Sequence, residues 1–193
     1  MEESPEVEAC TRCDELVESR SRIVNGTGPM DVELLFVGEA PGEQEDAAGE
    51  PFVGRSGDVL SEVLATHRVD RDDVRITNCV RCRPPENRDP QVDELANCRP
   101  YLEREIAIVE PTLIVALGKV PAEHLLDRDV AVTKEAGSIE TVELGERPRD
   151  VLVAPHPAAT LYDPSQRPTF EAAIEAAVDR GDVGGDQSSL DDF

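Results

Sequence analysis

Tryptophan is absent from this chain, and two tyrosines and four phenylalanines are its only carbocyclic rings. A core so poor in rings must be filled by aliphatic side chains, and a ring inside a polar stretch stands out. No run of eighteen apolar residues occurs, which excludes a membrane-spanning helix. The acidic N-terminus lacks the basic-then-apolar pattern of a secretory leader, so the chain is expected to be soluble and cytoplasmic. Lysine occurs only as Lys119 and Lys134. Neither a G-x-x-x-x-G-K-[ST] phosphate loop nor a G-x-G-x-x-G dinucleotide loop is present. An even cysteine count is also missing. Cys10, Cys13, Cys79, Cys82 and Cys98 cannot all pair, and in a reducing compartment a metal or cluster fits better than disulfides.

Acid is abundant instead. The formal charge of −23 suits a cytoplasm at molar salt, where the Debye length is roughly 3 Å and carboxylate repulsion is screened. A halophilic host is the expectation. The charge thus describes the solvent better than the ligand, and it does not exclude nucleic acid.

Four apolar segments read as buried strands: Val32–Val37, Val74–Val80, Thr112–Leu117 and Val151–Ala154. Helical spacing marks Asp58–Ala65, Gln91–Val109, Val120–Leu126 and Thr169–Arg180, and Ser138–Leu144 reads as a hairpin arm. Strands that alternate with helices and are apolar on both faces indicate a helix-covered, mostly parallel α/β sheet of four strands. Residues 1–9 read as an acidic arm, 10–180 as the folded domain and 181–193 as a polar, glycine-rich tail. In such sheets ligands bind beyond the carboxyl ends of the strands. Three polar segments follow core strands, namely Gly38–Gly57, Asn78–Pro90 and His156–Asp163, and they are expected to converge on one crevice.

The first segment, GEAPGEQEDAAGEPFVGRSG, is a glycine-rich loop full of carboxylates. Those acids would repel a phosphate. Gly38, Ala40 and Gly42 permit close backbone approach to something flat and neutral, and Phe52 offers a stacking face. Asn78 carries a donor and an acceptor on one amide edge. His156 is presented between Pro155 and Pro157. Spacing admits two cysteine sets. Cys10, Cys13, Cys79 and Cys82 form paired C-x-x-C steps, as in a four-thiolate zinc site. Cys10, Cys13, Cys82 and Cys98 form a set of the iron–sulfur type. In an extended strand positions 79 and 82 face opposite sides, which favours the second set. Arg81, Arg83, Arg88 and Arg99 lie in or beside this segment and could form a local basic patch.

Four ordered blocks resemble the family 4 uracil-DNA glycosylases. They are CTRC with SRIVNGTG, then GEAPGEQED with GEPFVGRSG, then ITNCVRCRPPENRDP, then HPAATL. The resemblance runs from about residue 10 to about residue 178. It implies a three-layer α/β/α fold, a [4Fe–4S] cluster on Cys10, Cys13, Cys82 and Cys98, and excision of uracil from DNA. It gives Glu39 the carboxylate role that better-known uracil glycosylases assign to an aspartate one place later, where this chain has Ala40. Phe52 would then stack on uracil, Asn78 would read its O4 and N3–H, and His156 would donate to O2. Arg81, Arg83 and Arg88 would touch DNA, and Leu161 would fill the gap left by the flipped base. A monomer is expected. The competing readings are an iron–sulfur module that binds nucleic acid without cleaving it, and a glycosylase of shifted base specificity or one that traps the abasic sugar. The arginine-rich insert of the trapping relatives is missing, since GRSGDVL runs directly into helix.

The tail ends in QSSLDDF. Gln187, Leu190 and Phe193 match the Q-x-x-[aliphatic]-x-x-[aromatic] spacing of peptides that bind the replication sliding clamp.

Overall fold

The computed structural model describes residues 4–183. In chain order the elements are α1 (Asp14–Ser19), β1 (Leu34–Gly38), α2 (Glu43–Ala48), α3 (Arg55–Thr66), β2 (Arg75–Asn78), α4 (Val92–Val109), β3 (Leu113–Leu117), α5 (Lys119–Leu126), α6 (Val132–Glu135), β4 (Ile139–Leu144), β5 (Arg147–Ala154), α7 (Ala159–Tyr162) and α8 (Arg167–Gly181).

The sheet order is β2-β1-β3-β5-β4. The first four strands are parallel, and β4 pairs antiparallel with β5. The sequence reading of four strands is therefore corrected to five. The Ser138–Leu144 arm is not separate, because β5 starts at Arg147 and carries the hairpin into the sheet edge. Only its second half is apolar and buried, so its polar first half is invisible to a search for core strands.

Alternation along each strand sends neighbours to opposite faces. Leu34, Phe36, Val115 and Leu152 pack with Leu60 and Val63 of α3 and Phe170 and Ile174 of α8. Leu35, Val37, Ile114 and Val153 pack with Leu102 and Ile106 of α4 and Leu125 of α5. The result is a three-layer α/β/α sandwich. A third, smaller group joins Leu16 of α1 to Val80 and Cys82. Residues 24–28 run along the free edge of β2, with Thr27 and Ile76 exchanging backbone hydrogen bonds of 2.9 Å. The acidic arm does not stand free: Val7 is buried and its N–H donates to Asn25 Oδ1 at 2.9 Å.

Candidate active site

The carboxyl ends of β1, β2, β3 and β5 deliver Gly38, Asn78, Gly118 and His156 to one place. Their closeness is shown by what a Cβ on glycine would strike. At Gly38 it would lie 2.4 Å from Asn78 Oδ1 and 2.5 Å from Phe52 Cε2, and at Gly118 it would lie 3.1 Å from His156 Cβ. The Phe52 and His156 rings stand 5.7 Å apart, tilted by 31°. The three segments expected to converge do so.

Phe52 is 6 % exposed and sits at φ 54°, a conformation that costs a non-glycine residue about 1–2 kcal/mol. Arg71 offsets that strain. Its guanidinium donates to the carbonyls of Pro51 and Phe52, both at 2.9 Å. Gly57 packs directly on the Phe52 carbonyl, where a Cβ would approach to 1.8 Å. Asn78 is 3 % exposed, and its Oδ1 lies against the bare backbone of Gly38.

The acids of the loop fall into two groups. Glu45 and Asp46 are structural and belong to α2, a helix the sequence reading took as loop. Glu45 accepts from the N–H of Gly42 and of Gly54, both at 3.1 Å, and so closes the segment that carries Phe52. Asp46 is buried and accepts from the N–H of Ser21 at 2.9 Å, tying α2 to the chain after α1. Ala40 packs against the Leu16–Val80–Cys82 group, and Gly42 caps α2. Glu43 and Glu50 are exposed, whereas Glu39 is half-buried just beyond the end of β1. Burial and the neighbouring Asp89 carboxylate push its pKa up to about 7. Asp89 was missed in the sequence because nothing in its local run ties it to a residue fifty positions earlier.

His156 titrates low, at about 4, because burial disfavours its cation. Its Nδ1 accepts from the Ala158 N–H at 3.1 Å, which places the proton of the neutral ring on Nε2 and leaves that atom a donor.

Cys10, Cys13, Cys82 and Cys98 line one cavity beneath α1 and α4, with Leu16 and Val80 behind them. Cys79 is buried in the opposite core, among Leu35, Val37 and Leu102. The four-thiolate set that includes Cys79 is not brought together. Among the described residues no group of three or more His, Cys, Asp or Glu is arranged to hold a metal ion. Arg20 donates to Cys82 Sγ at 2.8 Å and Asn97 to Cys13 Sγ at 3.5 Å. Burial pushes the Cys98 thiol up to about 11. A cavity lined by four thiols and already supplied with donors to sulfur fits a bound multinuclear group.

The expected basic patch is not formed by Arg81. It is 1 % exposed, and its guanidinium bonds Glu105 at 2.6 Å and Asn25 at 2.9 Å. Arg88 is engaged by Glu94 and Glu15, and Arg99 by Glu103 and the His124 carbonyl. Arg83 bonds Asn87 Oδ1 and has Glu43 at 3.9 Å. These four arginines are engaged at home, whereas Arg22, Arg55 and Arg68 are exposed and make no ion pair with the described residues. Leu161 is partly buried and packs against the main core. Gln187, Leu190 and Phe193 lie outside the described residues.

The family model of the Uracil DNA glycosylase superfamily matches residues 25–178. The chain is 40 % identical over 171 residues to the type-4 uracil-DNA glycosylase of Archaeoglobus fulgidus, covering 86 % of this chain and 85 % of the relative. It is 41 % identical over 171 residues to the type-4 enzyme of Sulfurisphaera tokodaii, with 86 % and 77 % covered. With the type-4 enzyme of Thermotoga maritima it shares 44 % over 136 residues, 70 % of each chain. A crevice built by three of the four sequence blocks, at the strand ends of a three-layer sandwich, agrees with these likenesses: the chain belongs to the uracil-DNA glycosylase superfamily and, within it, to the type-4 enzymes.

Proposed function

We propose that the protein hydrolyses the N-glycosidic bond of deoxyuridine in DNA, releasing uracil and leaving an abasic site for base-excision repair. The observation that carries this reading is the meeting of Phe52, Asn78 and His156 around Gly38. Uracil would lie on the Phe52 ring against the bare backbone of Gly38. The Asn78 amide matches O4 and N3–H of uracil, whereas cytosine presents the opposite pattern and would leave buried polar groups unpaired. As the bond breaks, negative charge gathers on uracil O2 and positive charge on the sugar. His156 Nε2–H faces the first and the Glu39 carboxylate faces the second or holds the attacking water. The base must leave the stack to reach this site, at a cost of a few kcal/mol that is smallest at a G·U mismatch.

The four-cysteine cavity supports a [4Fe–4S] cluster on Cys10, Cys13, Cys82 and Cys98. Such a group would tie the N-terminal segment to α4 and to the loop after β2. Asp46 then links that segment to the Phe52 loop through the Ser21 N–H. Protein purified without oxygen should be brown and contain about four irons per chain, and a stoichiometric zinc would count against it. The C-terminal Gln187, Leu190 and Phe193 support sliding-clamp binding, tested by titrating the clamp with wild-type and Leu190→Ala/Phe193→Ala protein; equal binding rejects it.

The test of the main reading is incubation with uracil-containing single- and double-stranded DNA in molar KCl. Free uracil and alkali-labile sites should appear without strand cutting. Glu39→Ala, Asn78→Ala and His156→Ala should each lower turnover by about a hundredfold or more. Lack of uracil release, or full activity in all three variants, would reject the assignment. A borohydride-trapped adduct would reject simple hydrolysis.

A further inference from the structure

We propose that Arg20 is a positioning residue of the four-cysteine centre. Its guanidinium, fixed on Cys82 Sγ, shifts the redox balance of a bound cluster towards the more reduced level and so guards it against oxidation. The inference rests on the reading that Cys10, Cys13, Cys82 and Cys98 hold a [4Fe–4S] cluster, and it is independent of the uracil chemistry.

Arg20 ends α1, with its N–H on the Leu16 carbonyl at 3.0 Å. From there its half-buried side chain lines the cysteine cavity. It donates to Cys82 Sγ at 2.8 Å and to the Cys10 carbonyl at 2.7 Å. One planar fork thus holds two of the four cysteine positions, which come from chain segments far apart in sequence. The backbone just beyond is fixed as well. The N–H groups of Ser21 and Arg22 donate to Asp46 Oδ1 at 2.9 and 3.3 Å. The guanidinium is therefore aimed at sulfur from a rigid base.

The choice of partner is informative. The chain has 42 acidic residues against 19 lysines and arginines, yet among the described residues no carboxylate pairs with Arg20. Glu94 lines the same cavity, but Arg88 takes both of its oxygens, at 2.8 and 2.7 Å. A neutral thiol is a weak acceptor. A guanidinium turned to sulfur in so acidic a chain is matched to sulfur that carries negative charge, as a metal-bound thiolate does. Such a bond strengthens as the charge on sulfur grows, and an added electron makes it grow. Arg20 therefore favours the more reduced level. The contact of Asn97 with Cys13 is longer, at 3.5 Å, and uncharged. The acidic surface opposes an added electron, but at about 1 M salt its field is screened within roughly 3 Å. The Arg20 bond lies largely out of reach of that screening, since Cys82 is 8 % exposed. The potential should thus follow Arg20 and not the salt concentration.

The test is voltammetry of the anaerobically purified holoprotein in molar KCl. Arg20→Gln keeps a donor and loses the charge, and Arg20→Lys keeps the charge and loses the fork. The midpoint potential should fall in both, further in Arg20→Gln. At a fixed potential the ratio of reduced to oxidised centre should drop by about tenfold in Arg20→Gln, the order of one hydrogen bond to a charged group. Asn97→Ala should shift the midpoint less. Ferricyanide takes one electron from the centre and becomes ferrocyanide, and it should bleach Arg20→Gln several times faster than wild type. Iron content before oxidation should match wild type in all three variants, which separates tuning from loss of the fold. Should Arg20→Gln fail to hold iron, the midpoint of Arg20→Lys decides. A wild-type midpoint in the Arg20 variants that hold iron, or a midpoint that follows KCl and ignores Arg20, overturns the inference. Wild-type protein purified without iron would reject the cluster reading itself.

Discussion

Glu39 shows how one neighbour can set a working pH. Burial raises its pKa first, and the Asp89 carboxylate adds to the shift by repulsion and by sharing a proton, to about 7. The thiol of Cys79 is also beside Glu39, but burial raises its pKa strongly and keeps it neutral. His156 titrates near 4 and stays uncharged through the range in which Glu39 ionises. The acid side of the pH–rate profile should therefore belong to Glu39, with activity rising as pH passes about 7 and the carboxylate forms. Asp89→Asn removes the repelling charge, so the midpoint should move to lower pH while the plateau changes little. Single-turnover uracil release measured from about pH 5 to about pH 9 checks this. A midpoint unmoved by Asp89→Asn would assign the shift to burial alone. Phe52, Asn78 and His156 stand out in the sequence as a ring in a polar loop, an amide at a strand end and a histidine between two prolines, while Glu39 is singled out by the family resemblance. Asp89 and Arg71 do not stand out, because each acts on a residue far away in the chain.

At the scale of elements, the buried Glu105 on α4 does a task that no motif announces. It is fully buried and bonds both Arg75 of β2 and Arg81 at 2.6 Å. Arg75 also donates to the carbonyls of Gly28 and Gly26, at 2.6 and 3.2 Å. The triad thus clamps α4 and residues 25–28 to the edge strand, next to the cysteine cavity. Pairing two buried cations with one anion is sustained only if each group keeps its partners. Glu105→Ala leaves two buried guanidinium groups unpaired and should cost about 3–5 kcal/mol in denaturant unfolding. Arg83→Ala, at a partly exposed pair 3.9 Å apart, should cost under about 1 kcal/mol. Periodicity located the four parallel strands and the long helices, since those are set by apolar residues in regular steps. It missed α2, whose six residues EQEDAA carry a single buried side chain, Asp46. It also placed Arg81 at the surface, because an arginine in a polar run gives no sign that a glutamate 24 positions later will bury it.

For the whole molecule the question is how an enzyme with formal charge −23 holds together and still approaches DNA. Several surface arginines end in pairs, such as Arg128 with Glu135 and Glu140, Arg167 with Glu62 and Glu171, and Arg180 with Asp150. Each exposed pair adds little stability, and each leaves the excess of unpaired carboxylates as it was. Screening of that excess should raise the melting temperature as KCl rises towards molar levels. DNA binding should respond to salt unusually weakly for the same reason. The slope of log K against log[salt] is about −0.9 per phosphate neutralised. With Arg81 buried and Arg88 and Arg99 engaged, a slope no steeper than about −2, equivalent to roughly two phosphates, is expected for an abasic duplex. Added salt also screens the repulsion between the acidic surface and the DNA, which flattens the dependence further. Fluorescence anisotropy of a labelled duplex across a series of KCl concentrations measures the slope. A value near −5 or steeper would mean that more cations reach phosphate than the few exposed arginines without a carboxylate, Arg22, Arg55 and Arg68, so that paired arginines leave their carboxylates on binding.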